Sequence, residues 1–185
     1  MDQIQSRYRR KLITSGVSLV ASMALPVLAA SPRLTVTPRQ TAGPFYPTGI
    51  PADSDNDLVR VAGQASRASG QVTHVFGRVL GARGRPVARA RVEIWQCDTF
   101  GHYHHLNDRG GLAEPQFQGF GRMTTAEDGA FHFRTIRPVA YPGRTPHIHF
   151  LVAGPGFEAL TTQMYIAGEA RNQADFLLNS VSDPL

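Results

Sequence analysis

Short runs of β-branched and aromatic residues, separated by turns rich in glycine and proline, fill the chain from residue 71 onward and constrain its fold most strongly. The runs are VTHVFGRVL, VARARVEIW, GRMTT, HIHFLVAG and LTTQMYIAG. In the second run Ala90, Val92 and Ile94 alternate with Arg91, Glu93 and Trp95, which is the period of two that gives a strand two distinct faces. Several short strands separated by turns are typical of an antiparallel β-sandwich.

The rest of the chain predicts little regular structure. Residues 31–70 are rich in proline, glycine, serine and aspartate, and we interpret them as an extended arm that packs over the domain. The turn at 127–129 lies between GRMTT and the alternating Phe131 and Phe133, which predicts a hairpin. One short helix is expected within 169–181. The predicted architecture is therefore an all-β antiparallel β-sandwich over residues 71–185, with an N-terminal arm and little helix.

Residues 1–30 have the pattern of a targeting peptide. The basic stretch RYRRK precedes a moderately apolar run from Leu12 to Leu28 and a small-residue cleavage pattern around Ala29. The paired Arg9 and Arg10 make this leader resemble a twin-arginine signal. We expect export to the periplasm and, after removal of the leader, no stable membrane insertion. The single cysteine, Cys97, cannot form an intrachain disulfide, so the exported domain depends on its core or on a metal.

The formal net charge of +5 is concentrated in the leader. Four basic residues against one acidic residue in 1–30 account for +3 of it, which leaves +2 for the remainder. No block of lysine and arginine occurs in that remainder. The electrostatic footprint of a nucleic-acid-binding protein is therefore missing, and we expect no nucleic-acid partner.

The strand-like segment HIHFLV carries the strongest signal for chemistry. His147 and His149 are two residues apart, so both imidazoles project from the same face of the strand, which suits a pair of metal ligands. By alternation alone, two half-exposed strand histidines without a metal are an equally good interpretation. Tyr141 lies in the turn that enters this strand, and Tyr103 lies in GHYHH. Tyrosine, with an unperturbed pKa near 10, becomes a ligand only beside a strongly Lewis-acidic ion such as ferric iron.

The segments VEIWQCDTFGHYHHLND, FQGFGRMTTAEDGAFHFRTIRP, YPGRTPHIHF and TQMY occur in an order that resembles the intradiol ring-cleavage dioxygenases, nearest the protocatechuate 3,4-dioxygenase type. The resemblance implies a non-haem ferric centre that cleaves a small aromatic diol with O2 to a cis,cis-muconate-type dicarboxylate. Its four iron ligands would be Tyr103, Tyr141, His147 and His149. The catalytic residues implied are Tyr141 as proton acceptor, Arg144 as stabiliser of substrate charge, and Gln163 in the pocket.

The resemblance raises two further expectations. Family members generally continue with at least one further strand, so we expect the chain to be truncated at its C-terminus, after SVSDPL. A homo-oligomer is compatible with the sequence. Trp95 and Gln96 are expected to pack behind the metal ligands rather than to take part in the reaction.

Two alternatives stay open. The segments GRVLGARGRPVARARVEIW and TTAEDGAFHFRTI also fit a non-catalytic binding module of the transthyretin-like or carboxypeptidase-regulatory-like kind. Alternatively, His102, His104 and His105 with the HIH pair would suit a zinc or copper site. We favour the enzyme because a binding module has no need of Tyr103, Tyr141, His147 and His149 together.

Overall fold

The computed structural model describes residues 34–182, which contain six β-strands and one short 3-10 helix. The strands are β1 (Val72–Arg78), β2 (Arg91–Trp95), β3 (Phe120–Thr124), β4 (Ala130–Ile136), β5 (His147–Gly154) and β6 (Phe157–Tyr165), and the 3-10 helix is Ala170–Ala174. All strand pairs are antiparallel. The predicted all-β class with little helix is confirmed.

The strands form two sheets with an apolar core between them. One sheet pairs β1 with β4, and the other has the order β3-β2-β5-β6. Alternating residues of both sheets fill the space between them, because period two directs one side of each strand inward. The buried strand residues of this core are Val75, Val92, Ile94, Phe133, Ile136, Ile148 and Phe150. The arm adds Leu58 and Val59, both fully buried, to the same core.

The predicted hairpin between GRMTT and the Phe131 segment is wrong. A tight turn is present, with the Gly129 N–H bonded to the carbonyl of Ala126 at 2.9 Å, but the two strands belong to different sheets. Thr125 stays with the larger sheet because its N–H donates to the carbonyl of Ala90 at 2.8 Å. Five residues further on, Ala130 already pairs with Arg78 in the other sheet. The turn is therefore a crossover between layers.

The arm covers part of the outer face of the four-stranded sheet. Tyr46 packs edge-on against Trp95, with ring centroids 4.9 Å apart, and its hydroxyl donates to Glu93 Oε2 at 2.7 Å. The N–H of Gln40 donates to the carbonyl of Thr161 on β6 at 2.8 Å. The alternation in β2 predicted two distinct faces but did not show that both are buried. The arm buries the face that points away from the core. This second, arm-covered face is where the candidate site lies.

The predicted leader, residues 1–30, lies outside the described residues, as do residues 183–185. Within 34–182 the structure contains no helix with the length and apolar character needed to cross a bilayer.

Candidate metal centre

The register of the larger sheet places the HIH pair among polar and aromatic neighbours. Ile148 and Phe150 face the core, so His147 and His149 face the arm, as alternation predicted. Across the sheet His149 is the direct partner of Trp95 on β2 and of Gln163 on β6. The indole of Trp95 stacks on His149 with centroids 4.8 Å apart and rings 5° from parallel. Strand pairing therefore fixes the positions of both imidazoles.

The two imidazoles converge through their Nε2 atoms, which lie 3.2 Å apart. Because a carbonyl can only accept, the 2.6 Å contact with Thr145 O means that His147 Nδ1 carries the proton and that its Nε2 lone pair is free. Burial lowers the pKa of His147 to about 4, and burial together with the neighbouring His147 lowers that of His149 to about 2. Both rings are therefore neutral at pH 7, the form that binds metals.

Two tyrosines from different loops complete the arrangement. Tyr103 comes from the loop after β2, and Tyr141 from the turn before β5. The Tyr141 ring centroid lies 5.5 Å from that of His147 and 5.6 Å from that of Tyr103, which in turn lies 6.4 Å from His149. The structure therefore brings together all four ligands that the resemblance implied.

The chemistry of these four side chains fits ferric iron. The Tyr103 hydroxyl is buried beside Tyr141 but forms no hydrogen bond of standard geometry with any described residue, an arrangement that costs free energy unless the oxygen has a further ligand. Burial raises the pKa of Tyr103 well above its usual value and also raises that of Tyr141, although the charge of Arg144 opposes the second shift. Only a strongly Lewis-acidic ion can hold such phenols as phenolates, and imidazole nitrogen suits iron as well.

Arg144 and Gln163 lie together beside the pair of histidines. Arg144 Nη2 donates to Gln163 Oε1 at 2.5 Å, and Gln163 Nε2 donates to the carbonyl of Thr41 in the arm at 3.1 Å. The hydroxyl of Tyr165, the cross-strand partner of His147, also donates to Gln163 Oε1 at 3.1 Å. A cavity of about 210 Å³ opens beside Tyr141 and Arg144. The two remaining predicted residues therefore belong to the same site.

Three residues at the site were not predicted from the sequence. Asp175 accepts from Arg144 Nε at 2.9 Å, and Thr145 accepts from His147. Phe45 of the arm stacks on Tyr103 with centroids 4.4 Å apart. The segment TAGPFYP, which contains Phe45, was the available signal for the arm contact. No local pattern marks Asp175, since it lies in a stretch interpreted only as a short helix.

The other histidines of the GHYHH segment have separate surroundings. His104 Nε2 contacts the carbonyls of Glu114 at 3.0 Å and Phe117 at 2.7 Å, and His102 Nδ1 lies 3.8 Å from Asp108 Oδ2. Within the described part of the chain, no group of three or more His, Cys, Asp and Glu side chains is placed to hold a metal. Apart from each other, His147 and His149 have tyrosines and Trp95 as ring neighbours among the described residues, and no histidine of GHYHH.

Comparison with known proteins gives the same class that the fold and this site define. A family model described as Dioxygenase matches residues 41–185. A 6-chlorohydroxyquinol 1,2-dioxygenase of Cupriavidus pinatubonensis (strain JMP 134 / LMG 1197) is 38% identical over 151 residues, 72% of this chain and 51% of the relative. The protocatechuate 3,4-dioxygenase beta chain of Burkholderia cepacia is 39% identical over 124 residues, 62% of this chain and 53% of the relative. The chain belongs to the intradiol dioxygenase family.

Solved structures agree with this assignment. The dioxygenase domain of a dioxygenase carbohydrate-binding protein fusion from Streptomyces sp. SirexAA-E superposes with a TM-score of 0.62 and 37% identity, covering 77% of this chain and 82% of that one. The present chain spans about half the length of the curated relatives it matches.

Proposed function

We propose that the chain is a catalytic intradiol dioxygenase that holds non-haem ferric iron through Tyr103, Tyr141, His147 and His149. It would cleave a catecholic ring between its two hydroxylated carbons with O2 to give a cis,cis-muconate-type dicarboxylate. The observation that carries the proposal is the convergence of two neutral imidazoles, 3.2 Å apart at Nε2, with two tyrosines whose ring centroids lie 5.5 to 6.4 Å from them.

Ferric iron, when bound, would supply the Lewis acidity that makes the diol more acidic and its ring reactive toward O2. Of the two tyrosines, Tyr103 is only 5% exposed, whereas Tyr141 is partly exposed and borders the 210 Å³ cavity. Tyr141 is therefore the more accessible of the two tyrosines to an incoming diol. We assign to Tyr141 the acceptance of one substrate proton.

Arg144 supplies a permanent positive charge next to Tyr141. Its side chain is only 8% exposed. Burial alone lowers the pKa of Arg144, but the hydrogen bond that it donates to Asp175 and the nearby Tyr141 outweigh burial, so the pKa is raised. A buried, oriented guanidinium stabilises negative charge that develops on a bound ring more strongly than a solvated one. Gln163 holds the Nη2 end of the guanidinium through a hydrogen bond to its Oε1.

The arm excludes water from the ligands. Phe45 stacks on Tyr103, and an added Cβ on Gly43 would lie 3.5 Å from His149 Cε1. Exclusion of water strengthens the interaction of Arg144 with an anionic substrate. We propose a small catechol, of the protocatechuate or the simple catechol kind, as the substrate class.

The decisive test combines oxygen uptake with product analysis. Iron-loaded protein should consume one O2 per catechol and, with ¹⁸O2, place both labelled atoms in the dicarboxylate. His149→Gln should abolish turnover, whereas His74→Gln, on an exposed strand position outside the site, should leave it unchanged. A loaded protein that releases no dicarboxylate from catechol, protocatechuate or hydroxyquinol would contradict the proposal.

We further propose that the leader directs export to the periplasm. Expression of the full chain should give a periplasmic product that lacks about 30 residues. Replacement of Arg9 and Arg10 by lysine should retain the protein in the cytoplasm. A cytoplasmic, uncleaved wild-type protein would contradict this part of the proposal.

A further inference from the structure

The 3-10 helix region ends in a buried carboxylate that contacts the predicted machinery. Asp175, immediately after Ala170–Ala174, is 1% exposed, and its Oδ2 accepts from Arg144 Nε at 2.9 Å. Arg144 Nη2 contacts Gln163 at the same time. The guanidinium is thus held at two of its nitrogens, by a carboxylate on one side and by an amide oxygen on the other.

The position of Asp175 is itself tightly determined. Its Oδ2 also accepts from the backbone N–H of Thr145, two residues before β5, at 2.8 Å. Its Oδ1 accepts from the N–H groups of Leu177 and Leu178 at 3.1 and 2.9 Å. Burial raises the pKa of Asp175, but the bonds from Leu178, Thr145 and Arg144 outweigh it, and the net shift is downward. The carboxylate is therefore charged and anchored to the strand that carries the histidines.

We propose that Asp175 is a positioning residue that fixes the direction of the Arg144 guanidinium toward the reacting ring. This proposal rests on the proposed function. A single Nη2 contact leaves the planar group free to rotate out of alignment, whereas a second bond at Nε defines its plane. Loss of a partner that orients a metal-ligating side chain typically lowers activity by about 10- to 100-fold, and we expect an effect of the same order for the partner of Arg144.

Asp175→Asn is the first test because it keeps the shape and one acceptor oxygen while removing the charge. At equal iron content, kcat should fall about 10- to 100-fold while the dissociation constant for catechol, measured anaerobically, changes less than about threefold. Asp57→Asn is the matched control, since Asp57 also pairs with an arginine, Arg134, at 2.8 Å and also accepts a backbone N–H. That control should leave kcat unchanged.

A double-mutant cycle separates positioning from a merely structural role. If Asp175 acts through Arg144, Asp175→Asn should have almost no further effect on kcat in an Arg144→Gln background. Asp175→Glu, which keeps the charge but moves it, is the second variant if Asp175→Asn does not fold, and it should also lower kcat at unchanged catechol affinity. A folded Asp175 variant with wild-type kcat, or losses that multiply fully in the cycle, would overturn the proposal.

Wild-type protein in the same assay keeps the two proposals distinguishable. If iron-loaded wild-type protein releases no dicarboxylate, the proposed function fails and the positioning proposal falls with it. If wild type is active and Asp175 variants equal it, only the positioning proposal fails. The melting temperature and the iron-bound spectrum of each variant, measured without turnover, show whether folding and iron ligation are intact.

Discussion

Tyr103→Phe should make the metal-free protein more stable while it weakens iron binding. The Tyr103 hydroxyl is buried without a hydrogen bond of standard geometry to any described residue, and such a group costs about 1–3 kcal/mol. Phenylalanine keeps the ring that stacks on Phe45 at 4.4 Å. Removal of the oxygen should therefore raise the melting temperature by about 3 °C for each kcal/mol recovered. The same change removes one of four proposed iron ligands.

Tyr46→Phe is the matched control, because the Tyr46 hydroxyl does have a partner. It donates to Glu93 Oε2 at 2.7 Å, and the Glu93 side chain is only 3% exposed. A bond to a charged group contributes about 1.5–3 kcal/mol, so this variant should melt several degrees lower than wild type. Iron binding should be unaffected, since Tyr46 lies outside the four proposed ligands.

The assay is thermal unfolding of both variants in the presence of a chelator, followed by iron titration in its absence. The expected pattern is opposite signs: Tyr103→Phe melts higher and retains less iron, and Tyr46→Phe melts lower and retains iron normally. A Tyr103→Phe variant that melts lower than wild type by as much as Tyr46→Phe would refute the reasoning. The hydroxyl would then have a stabilising role of its own, without a metal.

Three further predictions concern the same site. Arg144→Lys should bind catechol normally but turn over more slowly at equal iron content, because lysine cannot contact Asp175 and Gln163 as a planar fork. Full turnover of this variant would contradict the role of Arg144. As the pH falls from 6.5 to about 4, the metal-free protein should lose stability. Over this range the unfolded chain binds a proton at His147, whereas the folded protein does not, because burial lowers the pKa of His147 to about 4. The free energy of unfolding, measured with urea, should therefore change with pH, and His147→Gln should reduce this slope by up to about 1.4 kcal/mol per pH unit. An unchanged slope would contradict the prediction. Gly43→Ala should destabilise the protein by about 1–2 kcal/mol because Gly43 has φ +69°, and an unchanged melting temperature would show that the arm relaxes.

Features encoded in local periodicity were predictable from the sequence. The alternation of His147 and His149 with Ile148 and Phe150 correctly placed the imidazoles opposite the core. The antiparallel pairing was predicted separately, from the short strands and the turns between them. The facing of the imidazoles needs only the geometry of one strand, which is why it did not depend on the rest of the fold.

Features that depend on distant pairing were not predictable. The turn at 127–129 has every local mark of a hairpin, but the bond from Thr125 to Ala90 keeps β3 in the other sheet. Asp175 meets Arg144 across 31 residues of chain, and Tyr46 meets Glu93 across 47. No pattern within a single segment encodes such contacts, because they arise only when the layers pack. The family resemblance identified Tyr103 and Tyr141 where spacing alone could not.

The most direct test of the metal centre is the visible absorption spectrum of the purified protein with its iron content, before and after anaerobic addition of catechol. We predict about one iron per chain, a wine-red tyrosinate-to-iron charge-transfer band, and a shift of that band when the diol binds. Tyr103→Phe and Tyr141→Phe should each weaken it. A colourless protein that stays metal-free when supplied with ferric iron would contradict the assignment of Tyr103, Tyr141, His147 and His149 as ligands.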